Sequence, residues 1–274
     1  MDLRNIKLKL RDLIKISITN LGVFIMDSLI PWVGGKRLLR ERISHFIPSD
    51  ITAYIEAFGG AGWVLFYKER WAEVEIYNDK DSRLINLFKI AKYHPEALEK
   101  EMALLPHSRE FFKDFLRQEG LTDIQRAARF FFLVKRSFGA KASNFGTGAK
   151  SNAAKSNENM IASIQDISKR LDRVVIENLD YKNIFKTYDN PKSFFFLDPP
   201  YRHGAQYDVG RMNYEEFLDE LNKIKGRFLL TIDDCKENLK MFKAFKVKKF
   251  SRENGINRKN IVNQKFKELF VMNY

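Results

Sequence analysis

Short apolar runs alternate with longer amphipathic stretches along this chain, the pattern of strands joined by helices. The segments Thr52–Ala57, Val74–Asn78, Arg173–Asn178, Ser193–Leu197, Arg227–Ile232, Val247–Ser251 and Glu268–Asn273 read as strands. Between the early ones, apolar residues recur at helical spacing, as Leu84, Leu87, Phe88 and Ala91 do within Lys80–Glu101. Gly62–Arg70 reads as a short helix after a Gly-rich turn. Asn213–Lys225 reads as a helix with Asn213 as its cap, Phe217, Leu221 and Ile224 on one face, and Gly226 as its stop. This order predicts βαβ units and a parallel sheet. Only the polar stretch Glu253–Lys267 separates the last two strands, so they are expected to form an antiparallel hairpin at the sheet edge.

The strand pattern disappears between about Tyr93 and Asp172. That block is helical, most clearly over Asp123–Val134, and then turns into Gly139–Asn159, rich in Gly, Ala, Ser, Asn and Lys. It reads as an inserted recognition unit ending in a surface loop. The expected division is an extension over 1–28, a catalytic unit formed by 29–92 and 173–274, and the insert over 93–172. Within the extension, Ile16–Ile25 loosely resembles the apolar core of a signal segment, but Asn20 interrupts it and no A-x-A site follows. Met26 is an alternative start.

Composition narrows the partners. Of 274 residues, 45% are hydrophobic and 14% aromatic, which describes a folded chain. Lys and Arg number 48 against 35 acids, a formal charge of +13 that favours a polyanionic partner. The plainer alternative is charge spent on solubility. Cys235 is the one cysteine and the four histidines (45, 94, 107, 203) have no ligand spacing, so neither a disulfide framework nor a metal is expected. No apolar run is long enough to span a bilayer. The expectation is a monomer in a reducing cytoplasm.

Three motifs carry candidate chemistry. Asp198-Pro199-Pro200-Tyr201 directly follows the apolar run Ser193–Leu197. The C-terminal end of a strand is where open α/β sheets bind ligands. Proline has no N–H, so its carbonyl is free to face an amine, and Tyr201 offers a flat face for stacking. Together they suit an exocyclic amine on a planar ring; an ordinary strand-ending turn is the alternative. Glu56-Ala57-Phe58-Gly59-Gly60-Ala61-Gly62 follows the first predicted strand. It lacks the full G-x-G-x-x-G phosphate fingerprint, yet Asn78-Asp79 ends the next strand, where an acid binds ribose hydroxyls. The pair suits a nucleoside cofactor without pyrophosphate, and S-adenosyl-L-methionine is such a molecule. Asp79 as a helix cap is the other reading. Upstream, Pro31-Trp32-Val33-Gly34-Gly35-Lys36 precedes a helix expected from about Arg37, where glycines before a lysine can cradle an anion.

P-W-x-G-G-K, E-x-F-x-G-x-G, N-D, D-P-P-Y and the final E-L-F-V-M-N-Y, in this order, resemble the Dam-type (D12 class) DNA adenine-N6 methyltransferases in their alpha arrangement. The likeness spans about residues 29–274. It implies an α/β fold: a Rossmann-like seven-stranded methyltransferase sheet with a mainly helical inserted target-recognition domain. It further implies S-adenosyl-L-methionine as cofactor and double-stranded DNA as substrate. Trp32, Gly35 and Lys36 would line the cofactor pocket, Phe58, Gly60 and Gly62 would shape its floor, and Asp79 would bind the ribose. Asp180 would lie near the cofactor adenine, with a helix cap at Tyr181 as its alternative role. Asp198, Pro199, Pro200 and Tyr201 would be catalytic, and Asp198 would also count among the cofactor-binding residues. The chain departs from the family in Ala57, where Pro is frequent, and in Lys135-Arg136-Ser137-Phe138-Gly139, which differs from the N-R-T-x-F-N-G form.

The implied reaction is direct methyl transfer to adenine N6, with the base flipped out and no metal. From Arg126 to Lys155 the sequence carries seven bases and no acid. Arg126, Lys135, Arg136, Lys141, Asn144 and Lys150 are therefore expected to face DNA, and a solvated loop is the alternative. Arg202, His203 and Gln206 are placed in a second DNA-facing loop. The same reading allows a cognate restriction endonuclease and association with the nucleoid through DNA. RNA or protein amine methyltransferases more often carry N-P-P-Y, cytosine-N4 enzymes S-P-P-Y. A catalytically silent binding homologue would not need Asp198, Tyr201 and Asp79 intact.

Overall fold

The computed structural model describes residues 26–137, 139, 142–146, 158–202, 212–252 and 266–274. After a short helix, α1 (Arg40–Ser44), the chain forms β1 (Ala53–Glu56) and β2 (Val74–Asn78). Helices α2 (Ser82–Tyr93), α3 (Pro95–Ala103), α4 (Arg109–Arg117), α5 (Asp123–Arg136), α6 (Glu158–Ile161) and α7 (Ile164–Leu171) follow. The remainder is β3 (Val174–Glu177), α8 (Tyr181–Tyr188), β4 (Ser193–Leu197), α9 (Tyr214–Leu221), β5 (Arg227–Asp233), α10 (Lys236–Met241), β6 (Lys246–Arg252) and β7 (Phe266–Met272).

All the expected strands form, in one seven-stranded sheet of order β3-β2-β1-β4-β5-β7-β6. The first five are parallel, while β7 runs antiparallel to both β5 and β6. The chain moves outward from β1 to β2 and β3, then returns to β4 on the other side of β1. That reversal opens a crevice at the C-terminal ends of β1 and β4.

Period-two alternation sends side chains to two cores. Tyr54, Tyr77, Phe194 and Phe196 join one, which continues through Leu87 and Phe88 of α2, Phe130 and Phe131 of α5 and Ile164 and Ile167 of α7. Ile55, Ile76, Phe195 and Leu197 join the other, under α8 and α9. The insert helices therefore share a core with the sheet. A smaller cluster of Phe112, Phe115, Phe132 and Leu133 lies further out. Arg170 of α7 also ties the insert to the sheet. It meets Glu75 of β2 at 2.8 Å, with the two side chains 4% and 3% exposed, and donates to the carbonyls of Leu65 and Lys68.

Four expectations change. Lys80–Glu101 is two helices, because Pro95 has no N–H and drives His94 out of helical geometry. Gly62–Arg70 holds only a 3-10 turn over Leu65–Tyr67; the apolar run Trp63–Phe66 is buried all round and has no helical period. The helix after Pro31–Lys36 begins at Arg40, not Arg37. Gly226 does not stop α9, which ends at Leu221. It instead lets β5 approach β4, where a Cβ would stand 2.6 Å from the Ser193 carbonyl. Among the described residues no helix is long and apolar enough to cross a membrane.

Candidate active site

The crevice is bounded by the turns after β1 and β4 and by Pro31–Lys36. On the β1 side, the glycine turn is tied to the end of β2 by the Gly59 N–H, which donates to the Asn78 carbonyl at 2.7 Å, and by both polar groups of Gly60. The Gly60 N–H donates to Asp79 Oδ2 at 2.8 Å, and its carbonyl accepts from the buried Tyr77 hydroxyl. Gly60 and Gly62 adopt φ of +51° and +67°, the left-handed region that favours glycine. Gly59 is required for a different reason, since a Cβ there would lie 2.2 Å from the Tyr77 ring. Asn78 is 1% exposed and latches three strand ends. Its Nδ2 donates to the carbonyls of Ala57 at 2.8 Å and Leu179 at 3.1 Å, and its Oδ1 accepts from Leu179 N–H at 2.8 Å.

Asp79 accepts a second backbone N–H, from Asp81, at 2.8 Å. Burial nevertheless dominates and pushes its carboxyl up to about 6, against those hydrogen bonds. Asp81, not Asp79, caps α2. Glu56 ends β1 but offers the crevice no charge: it is 1% exposed, takes the Tyr54 hydroxyl at 2.7 Å, and is pushed by desolvation to about 8. Phe58 packs on Tyr181 and Phe217, with centroids 5.6 and 6.0 Å away. Trp32 covers the glycine turn and touches Phe130 of α5 edge-on at 6.3 Å.

On the β4 side, Asp198 takes the Lys36 ammonium at 2.7 Å and the Thr231 hydroxyl at 2.8 Å. Lys36 is 3% exposed, donates to the Gly34 carbonyl at 2.8 Å, and lies 5.0 Å from the Tyr201 ring centroid. It therefore reaches across the crevice to the D-P-P-Y carboxylate instead of cradling an anion at a helix start. Gly35 makes room for Trp63, whose Nε1 would stand 2.7 Å from a Cβ there. A carboxylate has about four acceptor sites, so these two donors leave Asp198 capacity for another.

The structure thus brings together Trp32, Gly35, Lys36, Phe58, Gly60, Gly62, Asp79, Asp198, Pro199, Pro200 and Tyr201. Asp180 stands apart in role: it caps α8 through Lys182 N–H at 3.1 Å and meets Lys80 at 3.3 Å. The basic run is less uniform than its sequence. Arg136 is 4% exposed, and burial lowers the affinity of its guanidinium for its proton, so it is no surface base. Arg126 closes on Asp123 and the Gly120 and Leu121 carbonyls at the start of α5. Lys135 is half-buried and Asn144 exposed, whereas Lys141 and Lys150 lie outside the described residues. Arg202 turns inward to Asn238 rather than toward a ligand surface; His203 and Gln206 are outside the described residues. Sequence reasoning missed Thr231, Tyr77, Tyr214 and Asn238. Thr231 left a signal, as the one polar residue within the buried run Phe228–Ile232.

Comparison with known proteins follows the same outline. Residues 32–251 match the D12 class N6 adenine-specific DNA methyltransferase family. The type II methyltransferase M1.LlaDCHI of Lactococcus lactis subsp. cremoris is 24% identical over 276 residues, covering 89% of this chain and 94% of its own. The type II methyltransferase M.MjaIII of Methanocaldococcus jannaschii is 26% identical, over 89% of this chain and 98% of its own. The type II methyltransferase M.CviBI of Paramecium bursaria Chlorella virus NC1A is 27% identical over 182 residues, covering 64% of this chain and 69% of its own.

Proposed function

The chain belongs to the D12 class of N6 adenine-specific DNA methyltransferases, and from that premise we propose that it methylates N6 of a flipped-out adenine in double-stranded DNA, with S-adenosyl-L-methionine as donor. The observation that carries this reading is the pairing of Lys36 with Asp198 across the β1/β4 crevice, within one site that also holds the glycine turn and Asp79.

The β1 side fits the donor. Asp79 is a carboxylate with its orientation already set by two backbone N–H groups, suited to a pair of ribose hydroxyls. Trp32 and Phe58 supply apolar walls, and the glycines let the backbone come close. When bound there, S-adenosyl-L-methionine supplies a methyl group already activated by its sulfonium. The residues of the β4 side act on the acceptor. Adenine N6 is a poor nucleophile because its lone pair is delocalised into the ring. The Asp198 carboxylate and the Pro199 carbonyl accept hydrogen bonds from its two N–H groups, which favours a pyramidal nitrogen and stabilises the positive charge that develops on it until one N–H proton is lost to solvent. Lys36 and Thr231 hold the carboxylate so that little reorganisation is needed. A stacked base cannot reach this pocket, so the adenine leaves the helix and stacks on Tyr201.

Residues 29–92 and 173–274 form the catalytic unit in this proposal, and 93–172 read the target, with Lys135 and Asn144 the residues of the described part proposed to contact DNA. The names of the relatives support a site-specific modification enzyme. The test is transfer of labelled methyl from S-adenosyl-L-methionine to unmethylated duplex DNA, with RNA in parallel. Label recovered as N6-methyladenine in DNA, and lost in Asp198→Ala, is the expected result. Label in RNA alone, or undiminished transfer by Asp198→Ala, overturns the reading.

A further inference from the structure

The D-P-P-Y loop has an anchoring problem. Pro199 and Pro200 carry no N–H, so the backbone between Asp198 and Tyr201 has no amide of its own with which to tie itself down. The hold has to come from side chains, and a connected set supplies it. Tyr214, in the first turn of α9, donates its hydroxyl to the Pro200 carbonyl. Desolvation, with Asp233 as the next contributor, pushes that hydroxyl well above its usual range, so it remains a donor. Arg202, directly after the motif, lays its guanidinium 3.9 Å from the Tyr214 ring centroid. Its Nε donates to Asn238 Oδ1 at 2.9 Å. Asn238 is fully buried, and its Nδ2 donates to both the carbonyl and the carboxylate of Asp233, each at 3.0 Å. The side-chain amide is thus satisfied at both ends, and the chain of contacts runs from the end of β5 through α10 to the motif.

Resting on the function above, we propose that Tyr214, Arg202 and Asn238 form a positioning clamp that sets the D-P-P-Y loop for methyl transfer. Tyr214 takes the Pro200 carbonyl, not that of Pro199, which is the one assigned to the adenine amine. One turn further along α9, Phe217 packs on Phe58 beside the glycine turn. The same short helix therefore braces both walls of the crevice. None of the three residues is placed against substrate, so they act through the loop and not as catalytic groups.

The test compares Tyr214→Phe, Arg202→Ala, Arg202→Lys and Asn238→Ala in full-length protein. It reads kcat, KM for duplex DNA and for S-adenosyl-L-methionine, and Tm. Tyr214→Phe keeps the ring beneath Arg202 and removes only the hydroxyl. It is expected to lower kcat about tenfold, with KM for the donor within about twofold and Tm nearly unchanged, as a small misplacement of reacting groups does. Arg202→Ala is expected to lower kcat further, and Arg202→Lys to recover part of the loss by restoring a cation over the ring. Tyr214→Phe combined with Arg202→Ala should be no worse than Arg202→Ala alone. Unchanged kcat in Tyr214→Phe, or losses that follow Tm alone, overturns the clamp and leaves the function standing. Absence of methyl transfer to DNA by the unsubstituted protein overturns the function and the clamp with it.

Discussion

Asp79 and Asp198 stand on opposite walls of one crevice and are held by opposite means. Asp79 is fixed by backbone: the N–H groups of Gly60 and Asp81 aim at it, and no cation meets it among the contacts described. Asp198 is fixed by side chains, the Lys36 ammonium and the Thr231 hydroxyl. Gly60 helped make the first solution available, because at its φ of +51° it presents its amide to the Asp79 carboxylate. Prolines excluded it from the second, because they remove the amides. A binding wall built from backbone keeps its shape when side chains change. A wall built from side chains can have each donor removed singly, so its contributions can be measured one at a time.

The largest expected effect breaks the side-chain wall at its centre. Asp198→Asn should lower methyl transfer by about a hundredfold to a thousandfold, the scale for removing one electrostatic contact to a transition state. Lys36→Met should follow, with a fall in transfer and about 3 kcal/mol of lost stability, because it leaves Asp198 without its cation partner; equilibrium denaturation checks the second part. On the backbone wall, protonation of Asp79 would remove the acceptor that the proposed function assigns to ribose. Donor affinity should therefore be constant well above pH 6 and fall about tenfold per unit below it, from the value of about 6 for Asp79. Asp79→Asn should be weak at every pH and lose that slope, which isothermal titration would show. The smallest effect distinguishes neighbours on α5. Lys135→Ala should reduce the salt slope of DNA binding by about one unit without changing Tm. Arg136→Ala, at a buried position, should lower Tm.

Much of this architecture was legible because it depends on local pattern. The strands Val74–Asn78 and Ser193–Leu197 matched to the residue, being short stretches rich in β-branched and aromatic residues bounded by Glu73 and Asp79 and by Lys192 and Asp198. The motifs on both walls were legible too, since they are contiguous and carry unusual Gly and Pro content. What was not legible is long-range. Lys36 lies far from Asp198 in sequence, and nothing about a lysine after two glycines says that it will point at a carboxylate in another motif. Asn238 stands in sequence among the charged residues Lys236, Glu237 and Lys240, yet it is fully buried. Arg136 was misread for the converse reason. Charge counts do not tell which face of a helix packs inward, and Arg136 lies on the packed side of α5.

The most direct measurement sets the two carboxylates against each other. S-adenosyl-L-methionine affinity by titration and methyl transfer to duplex DNA under donor saturation would be recorded for Asp79→Asn and Asp198→Asn together. The expected result is a crossed pattern. Asp79→Asn binds the donor at least tenfold more weakly and recovers transfer when saturated, whereas Asp198→Asn binds it normally and does not transfer. Two variants that lose affinity and transfer in parallel would contradict the division of the crevice into a donor wall and an acceptor wall.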